Sequence, residues 1–174
     1  MRLPPLPEKE WKATTRSALA GMLPKSRQNP QSAGNALATL VRHPDLTKAF
    51  LGFNIHLLFR STLPPRLREL AILRVAHRLN CAYEWSHHVR GAIEAGLTRD
   101  EIEAVRRGEA ADEFDRVVLG AVDELDEEAS LSDQTWAALA TRLDEQQRMD
   151  LVFTVGCYGM LAMAFNTFGV EVEH

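Results

Sequence analysis

Proline and glycine punctuate this chain at intervals that suit helices and little else. Pro24, Pro30, Pro44, the Pro64-Pro65 pair, Gly96, Gly108 and Gly169 are its breaks. Between them no region alternates apolar and polar residues as a half-buried strand does. The reading is an all-α fold, with helices over about 8–21, 31–43, 45–61, 65–79, 81–95, 99–107, 112–128, 132–143 and 145–168. Several starts carry a cap. Thr98 with Glu101 forms a Ser/Thr-to-Glu box, Ser132 precedes an acidic first turn, and Asp45 after Pro44 is a candidate cap for the third helix.

The 174 residues suit one domain over 1–174, with an extended proline-rich arm at 1–7. Hydrophobic residues make up 45% and charged residues 25%, a soluble globular profile. A net charge of −4 and the lack of a basic run argue against a nucleic-acid partner. The apolar stretch from Leu151 to Phe165 is shorter than the roughly 20 residues of a membrane span, and Gly156 and Gly159 interrupt it. It reads as a buried helix rather than a membrane one. Two cysteines without a secretion signal point to a reducing cytoplasm.

Chemistry concentrates in two segments, Arg68-Glu69-Leu70-Ala71-Ile72-Leu73-Arg74 and Asn80-Cys81-Ala82-Tyr83-Glu84-Trp85-Ser86-His87-His88. At about 100° per residue, Glu69 shares a stripe with Ile72, Leu73 and Ala76, while Arg68, Arg74 and Arg78 lie off it. Glu69 is therefore a carboxylate on a face that looks buried. Its alternative is a core acid paired with an arginine. On the next helix the apolar stripe is Ala82, Trp85, Val89, Ala92 and Ile93, and Cys81, Glu84 and His88 run along one flank. The Glu84-to-His88 spacing permits a bond that orients the imidazole and raises its pKa. The alternative is a surface ion pair beside a core cysteine. A metal site from Glu69, Glu84 and His88 lacks a closed ligand set, so no metal and no cofactor are expected. His56 and His77 are isolated, His87 points off the line, and Tyr83, Trp85 and Cys157 read as packing residues.

At these residues the chain resembles the carboxymuconolactone decarboxylase family, which includes the alkylhydroperoxidase D-type peroxidases. The resemblance runs from about Leu46 to Glu173 and takes in the glycine-containing stretch from Asp150 to Val170. It implies an all-α, alkylhydroperoxidase D-like bundle that assembles into homo-oligomers, trimers or hexamers. The peroxidase branch uses a Glu, a Cys-x-x-Cys pair and a His four residues after the second Cys. Glu69, Cys81 and His88 match three of these positions, and Glu84 stands where the second Cys would be. A disulfide cycle between neighbouring thiols cannot run in such a motif. Cys157 resolves Cys81 only if the fold brings it near.

The resemblance thus implies the decarboxylase-like side: acid/base chemistry on a small carboxylate or lactone. Glu69, Cys81, Glu84 and His88 are the candidate catalytic residues, His88 the proton donor, and an arginine such as Arg74 the carboxylate binder. The alternatives are a peroxidase using Cys81 and a non-catalytic binding protein on the same scaffold.

Overall fold

A computed structural model describes residues 1–173. It is all-α, with nine α-helices and no strand among the described residues: α1 Ala13–Ala18, α2 Pro30–Leu40, α3 Pro44–Phe59, α4 Pro65–Arg78, α5 Ala82–Glu94, α6 Arg99–Arg106, α7 Glu113–Glu128, α8 Asp133–Leu139 and α9 Glu145–Phe168. The helix expected over 8–21 is instead a 3₁₀ turn, Glu8–Glu10, followed by the short α1. Asp45 does not cap α3. The His43 side chain accepts the Leu46 N–H, and Pro44 and Asp45 lie inside the first turn.

The chain divides into two compact units. One comprises Met1–Arg60 with the chain end from Ala164. Its core is built on Leu6, Trp11, Leu19, Ala33, Ala38, Val41 and Leu51. The arm at 1–7 is non-helical and docked: Arg2 and Leu3 donate to the Phe168 carbonyl, and Leu6 to that of Ala38. Burying Leu6 and Trp11 repays part of the backbone entropy lost by ordering the arm.

The second unit, Ser61–Met163, holds the candidate residues. Here α4 packs against α5, α6 and α7. Its residues Leu70, Ala71, Ile72, Leu73, Val75 and Ala76 are buried around its whole circumference. A helix so enclosed must pair every polar side chain it buries. Arg74 and Arg78 do so by reaching to α7, where Asp123, Asp126 and Glu127 receive them. Arg66 bridges Glu101 of α6 and Asp115 of α7. The Thr98–Glu101 box and the Ser132 cap form as expected.

Three helix ends in this unit share one mechanism. Asn80, Gly96 and Gly108 have left-handed φ values of 52, 95 and 70. Each follows a helix whose last carbonyls are closed by the same pair of reversed bonds, for instance Asn80 N–H to His77 and Cys81 N–H to Ala76.

Among the described residues, α9 is the helix long and apolar enough to cross a bilayer by length and composition alone. Leu151, Thr154, Val155, Cys157, Tyr158 and Leu161 are nevertheless buried in the protein. Asp150 accepts both the N–H and the hydroxyl of Thr62.

Candidate active site

The turn at Asn80 determines where the site begins. Because Asn80 reverses the chain within one residue, Cys81 becomes the N-cap of α5 and α5 folds back along α4. That antiparallel pairing sets Glu69 of α4 against His88 of α5. His88 Nδ1 lies 2.7 Å from Glu69 Oε2, and its Nε2 faces Glu84 Oε2 at 3.4 Å. Arg68 donates to the other Glu69 oxygen at 3.2 Å. The Tyr158 ring meets the imidazole edge-on, with centroids 4.9 Å apart.

Burial makes this cluster electrostatically demanding. Glu69 is 4% exposed and Glu84 5%. Burial alone would neutralise His88, but the hydrogen bonds and charges of Glu69 and Glu84 outweigh it and push the imidazole up to about 9. Burial likewise opposes ionisation of Glu69, and His88 and then Arg68 reverse this, holding the carboxyl below its ordinary value. His88 is therefore an imidazolium at neutral pH, with both ring nitrogens aimed at carboxylates.

Gly91 leaves room for the Glu69 carboxylate. A Cβ there would sit 3.1 Å from Glu69 Oε2, the oxygen that holds His88.

Cys81 differs in kind. Its thiol is 1% exposed, and it is pushed up first by burial and further by the Glu84 charge. Hydrogen bonds from the Glu84 and Tyr83 backbone amides at the start of α5 pull the other way without prevailing. Cys157 is buried, and both cysteines are thiols rather than a disulfide.

The structure thus joins Glu69, Glu84 and His88 directly and places Cys81 one turn earlier, in contact through the Glu84 amide. The expected apolar stripe of α5 faces inward only in part. Ala92 is buried and Trp85 and Val89 are half-buried, but Ala82 and Ile93 are exposed, and Tyr83 and Glu84, off the stripe, are buried. The ion pair to Glu69, rather than hydrophobicity, selects the buried face.

Arg74 is not available to a substrate. It is buried, its Nε and Nη2 grip Asp123 at 2.7 Å each, and its Nη1 donates to the Val105 and Arg106 carbonyls. It ties the end of α6 to α4 and α7.

Sequence reasoning missed a pocket of about 290 Å³ at the start of α5. It is lined by His77, Asn80, Cys81, Trp85 and Arg106, with Ala76 and Ala82. The Arg106 guanidinium stacks 3.7 Å above the Trp85 ring, and the His77 ring meets that indole at 63°. No local pattern announces a contact between residues 21 apart in sequence.

No group of three His, Cys, Asp or Glu residues able to hold a metal ion stands among the described residues. His88 also has no open lone pair, since each ring nitrogen faces a carboxylate.

Residues 44–127, just under half of the chain, match the model of the carboxymuconolactone decarboxylase family and contain Glu69, Cys81, Glu84 and His88. Through this segment the chain is similar to the carboxymuconolactone decarboxylase family.

Solved structures give the same fold. An uncharacterised peroxidase-related protein from Ralstonia eutropha JMP134, described as an alkylhydroperoxidase AhpD core, superimposes with a TM-score of 0.79 at 15% identity, over 99% of this chain and 94% of that one. A cysteine-to-alanine variant of the debrominase Bmp8, in complex with 2,3,4-tribromopyrrole, gives 0.78 at 19% identity, over 99% and 92%. An Agrobacterium tumefaciens protein of unknown function, related to the antioxidant defence protein AhpD, gives 0.69 at 19%, over 76% and 94%. A comparison with curated proteins finds no match.

Proposed function

We propose that this protein is an acid/base enzyme acting on a small carboxylate or carboxylated lactone, with His88 as the proton donor. The observation that carries the reading is the imidazolium between Glu69 and Glu84, pushed up to about 9, beside a thiol pushed up rather than down. A general acid must hold its proton at working pH and release it when a basic carbon develops. A peroxidatic cysteine needs the opposite, a thiolate stabilised at neutral pH.

In the reaction, the C–C bond to the substrate carboxylate breaks and CO2 leaves. The electron pair delocalises into an adjacent unsaturated carbonyl as an enolate, and the His88 proton is delivered to its carbon. Water then returns a proton to the imidazole. Glu69 holds the ring through Nδ1, and Glu84 faces Nε2.

A peroxidase using Cys81 is the second reading, favoured by the two backbone amides aimed at its sulfur. A fold shared with a debrominase that holds a brominated pyrrole supports a small ring molecule as ligand in either case. Assembly with further copies belongs to the proposal too. On α9, Met149, Phe153, Met160 and Met163 are exposed on one stripe, where a second copy's helix would cover them.

The test is turnover of a panel of unsaturated carboxylates and carboxylated lactones in D2O, followed by NMR. The reading expects CO2 release with one solvent deuterium in the product, abolished in His88→Gln and Glu69→Gln. Turnover unaffected in His88→Gln rejects it. A Cys81–Cys157 disulfide formed at low hydroperoxide and reversed by thiols would give the site to the peroxidase reading. A ligand bound without turnover of any panel member would give it to the binding-protein reading.

A further inference from the structure

The pocket at the start of α5 has a charge problem that the site so far leaves unsolved. Its lining contains an arginine and a histidine and no acidic residue. Three arginines, Arg106, Arg74 and Arg78, act on His77 there, and with burial as the leading cause they hold its imidazole below the ordinary value. Arg74 is saturated by Asp123 and two carbonyls. Arg78 is saturated by Asp123, Asp126 and Glu127.

Arg106 is different. Its Nε reaches Glu103 on the exposed side of α6 at 2.9 Å, and its plane lies on the Trp85 ring. Among the described residues, Nη1 and Nη2 take no acceptor. A guanidinium whose plane is fixed by stacking and whose paired N–H edge is open matches a carboxylate bidentately. The indole beside it and the methyl groups of Ala76 and Ala82 offer an apolar surface for the rest of such a ligand.

We propose that this pocket binds a small organic carboxylate, its oxygens on Nη1 and Nη2 of Arg106, its body against Trp85, and the Cys81 sulfur at its wall. The inference adds to the proposed reaction a carboxylate subsite at the start of α5, whose lining includes Cys81 and not His88. It rests on that reading for what becomes of the ligand, and not for binding. A volume near 290 Å³ admits a single ring bearing one acid group.

The test uses benzoate, with neutral benzamide of the same shape as its control. Calorimetry gives affinity, and the indole N–H resonances of Trp11, Trp85 and Trp136 give location, with Trp85→Phe for assignment. The expected result is benzoate binding that moves the Trp85 resonance and leaves those of Trp11 and Trp136 in place, with benzamide at least tenfold weaker. Arg106→Gln should weaken benzoate at least tenfold, and Arg106→Lys, which keeps the charge and loses the fork, should fall between. Equal affinity for benzoate and benzamide, an unmoved Trp85 resonance, or full affinity in folded Arg106→Gln would each overturn the proposal. His88→Ala separates the two ideas: benzoate binding within twofold of the unaltered protein upholds this site even if turnover data reject His88 as the acid.

Discussion

The imidazole of His88 and the carboxylate of Glu69 meet at 2.7 Å across the α4–α5 pairing, and each holds the other in its charged form. The pair is buried, so its worth depends on pH in a definite sense. The folded His88 value, about 9, stands above the ordinary 6.5. Its stabilisation is fully present below about 6.5, where both states are protonated, and is lost as pH rises through 9. The difference is worth about 3 kcal/mol. Urea unfolding between pH 6 and pH 10 should show a loss of that order, and His88→Gln should flatten the curve. Glu69 carries the acid limb of the same pair: its contribution is present above the ordinary carboxyl range and fades as pH falls below it.

Glu69→Gln keeps the shape and removes the charge. Taking one partner from a buried ion pair costs about 3–5 kcal/mol. The amide still offers an oxygen to Nδ1, which places this change at the lower end. The decisive readout is the NMR titration of the His88 ring, expected to fall from about 9 towards 6.5. A His88 titration unmoved by this change would show that Glu84 alone sustains the imidazolium.

Arg74 and Asp123 form a structural clamp, and their replacement should act on stability alone. Arg74→Ala leaves Asp123 with Arg78 alone, at 3.2 Å, and strips the Val105 and Arg106 carbonyls of the Arg74 donor. A loss of about 3–5 kcal/mol is expected. Arg74→Met with Asp123→Leu should lose less than Arg74→Ala, since no half of the pair is then stranded. Denaturant midpoints of the three proteins check this, and a double variant weaker than the single one would contradict it.

Cys81 should be a sluggish nucleophile at neutral pH, because burial and the Glu84 charge both oppose its thiolate. Glu84→Gln removes the second of these and should speed Cys81 alkylation by iodoacetamide severalfold at pH 7, with Cys157 as the internal control. Peptide mapping reads both sites. A rate that does not change would mean that Glu84 does not act on the sulfur.

Much of this arrangement was legible before any coordinates, and the reason is locality. The Thr98–Glu101 box, the Ser132 cap and the Glu84–His88 spacing each lie within one or two helical turns, where side-chain reach is fixed by geometry. Glu69 was readable as buried because it interrupts an apolar stripe. Arg74 was not, since its burial depends on Asp123, 49 residues later. The inward face of α5 was misread for a related reason. Hydrophobic periodicity assumes that burial follows apolarity, and here an ion pair to another helix turns Tyr83 and Glu84 inward and leaves Ile93 out. The stacking of Arg106 on Trp85, and with it the pocket, is a tertiary contact without a local signature.

Gly91 provides the sharpest test of the ion pair, because two effects of one methyl group oppose each other there. Alanine for glycine inside a helix stabilises by up to about 1 kcal/mol. The new Cβ would also press on Glu69 Oε2 at 3.1 Å, and that oxygen is fixed by His88. Displacing it by a few tenths of an ångström weakens a buried, charge-assisted bond, at a cost of about 1–3 kcal/mol. The second effect is larger while His88 is charged. Gly91→Ala should therefore be less stable than the unaltered protein at pH 6 and equal to it or more stable at pH 10. Its His88 titration should fall below 9. Greater stability at both pH values would mean that Glu69 yields without strain and that Gly91 has no part in holding the pair.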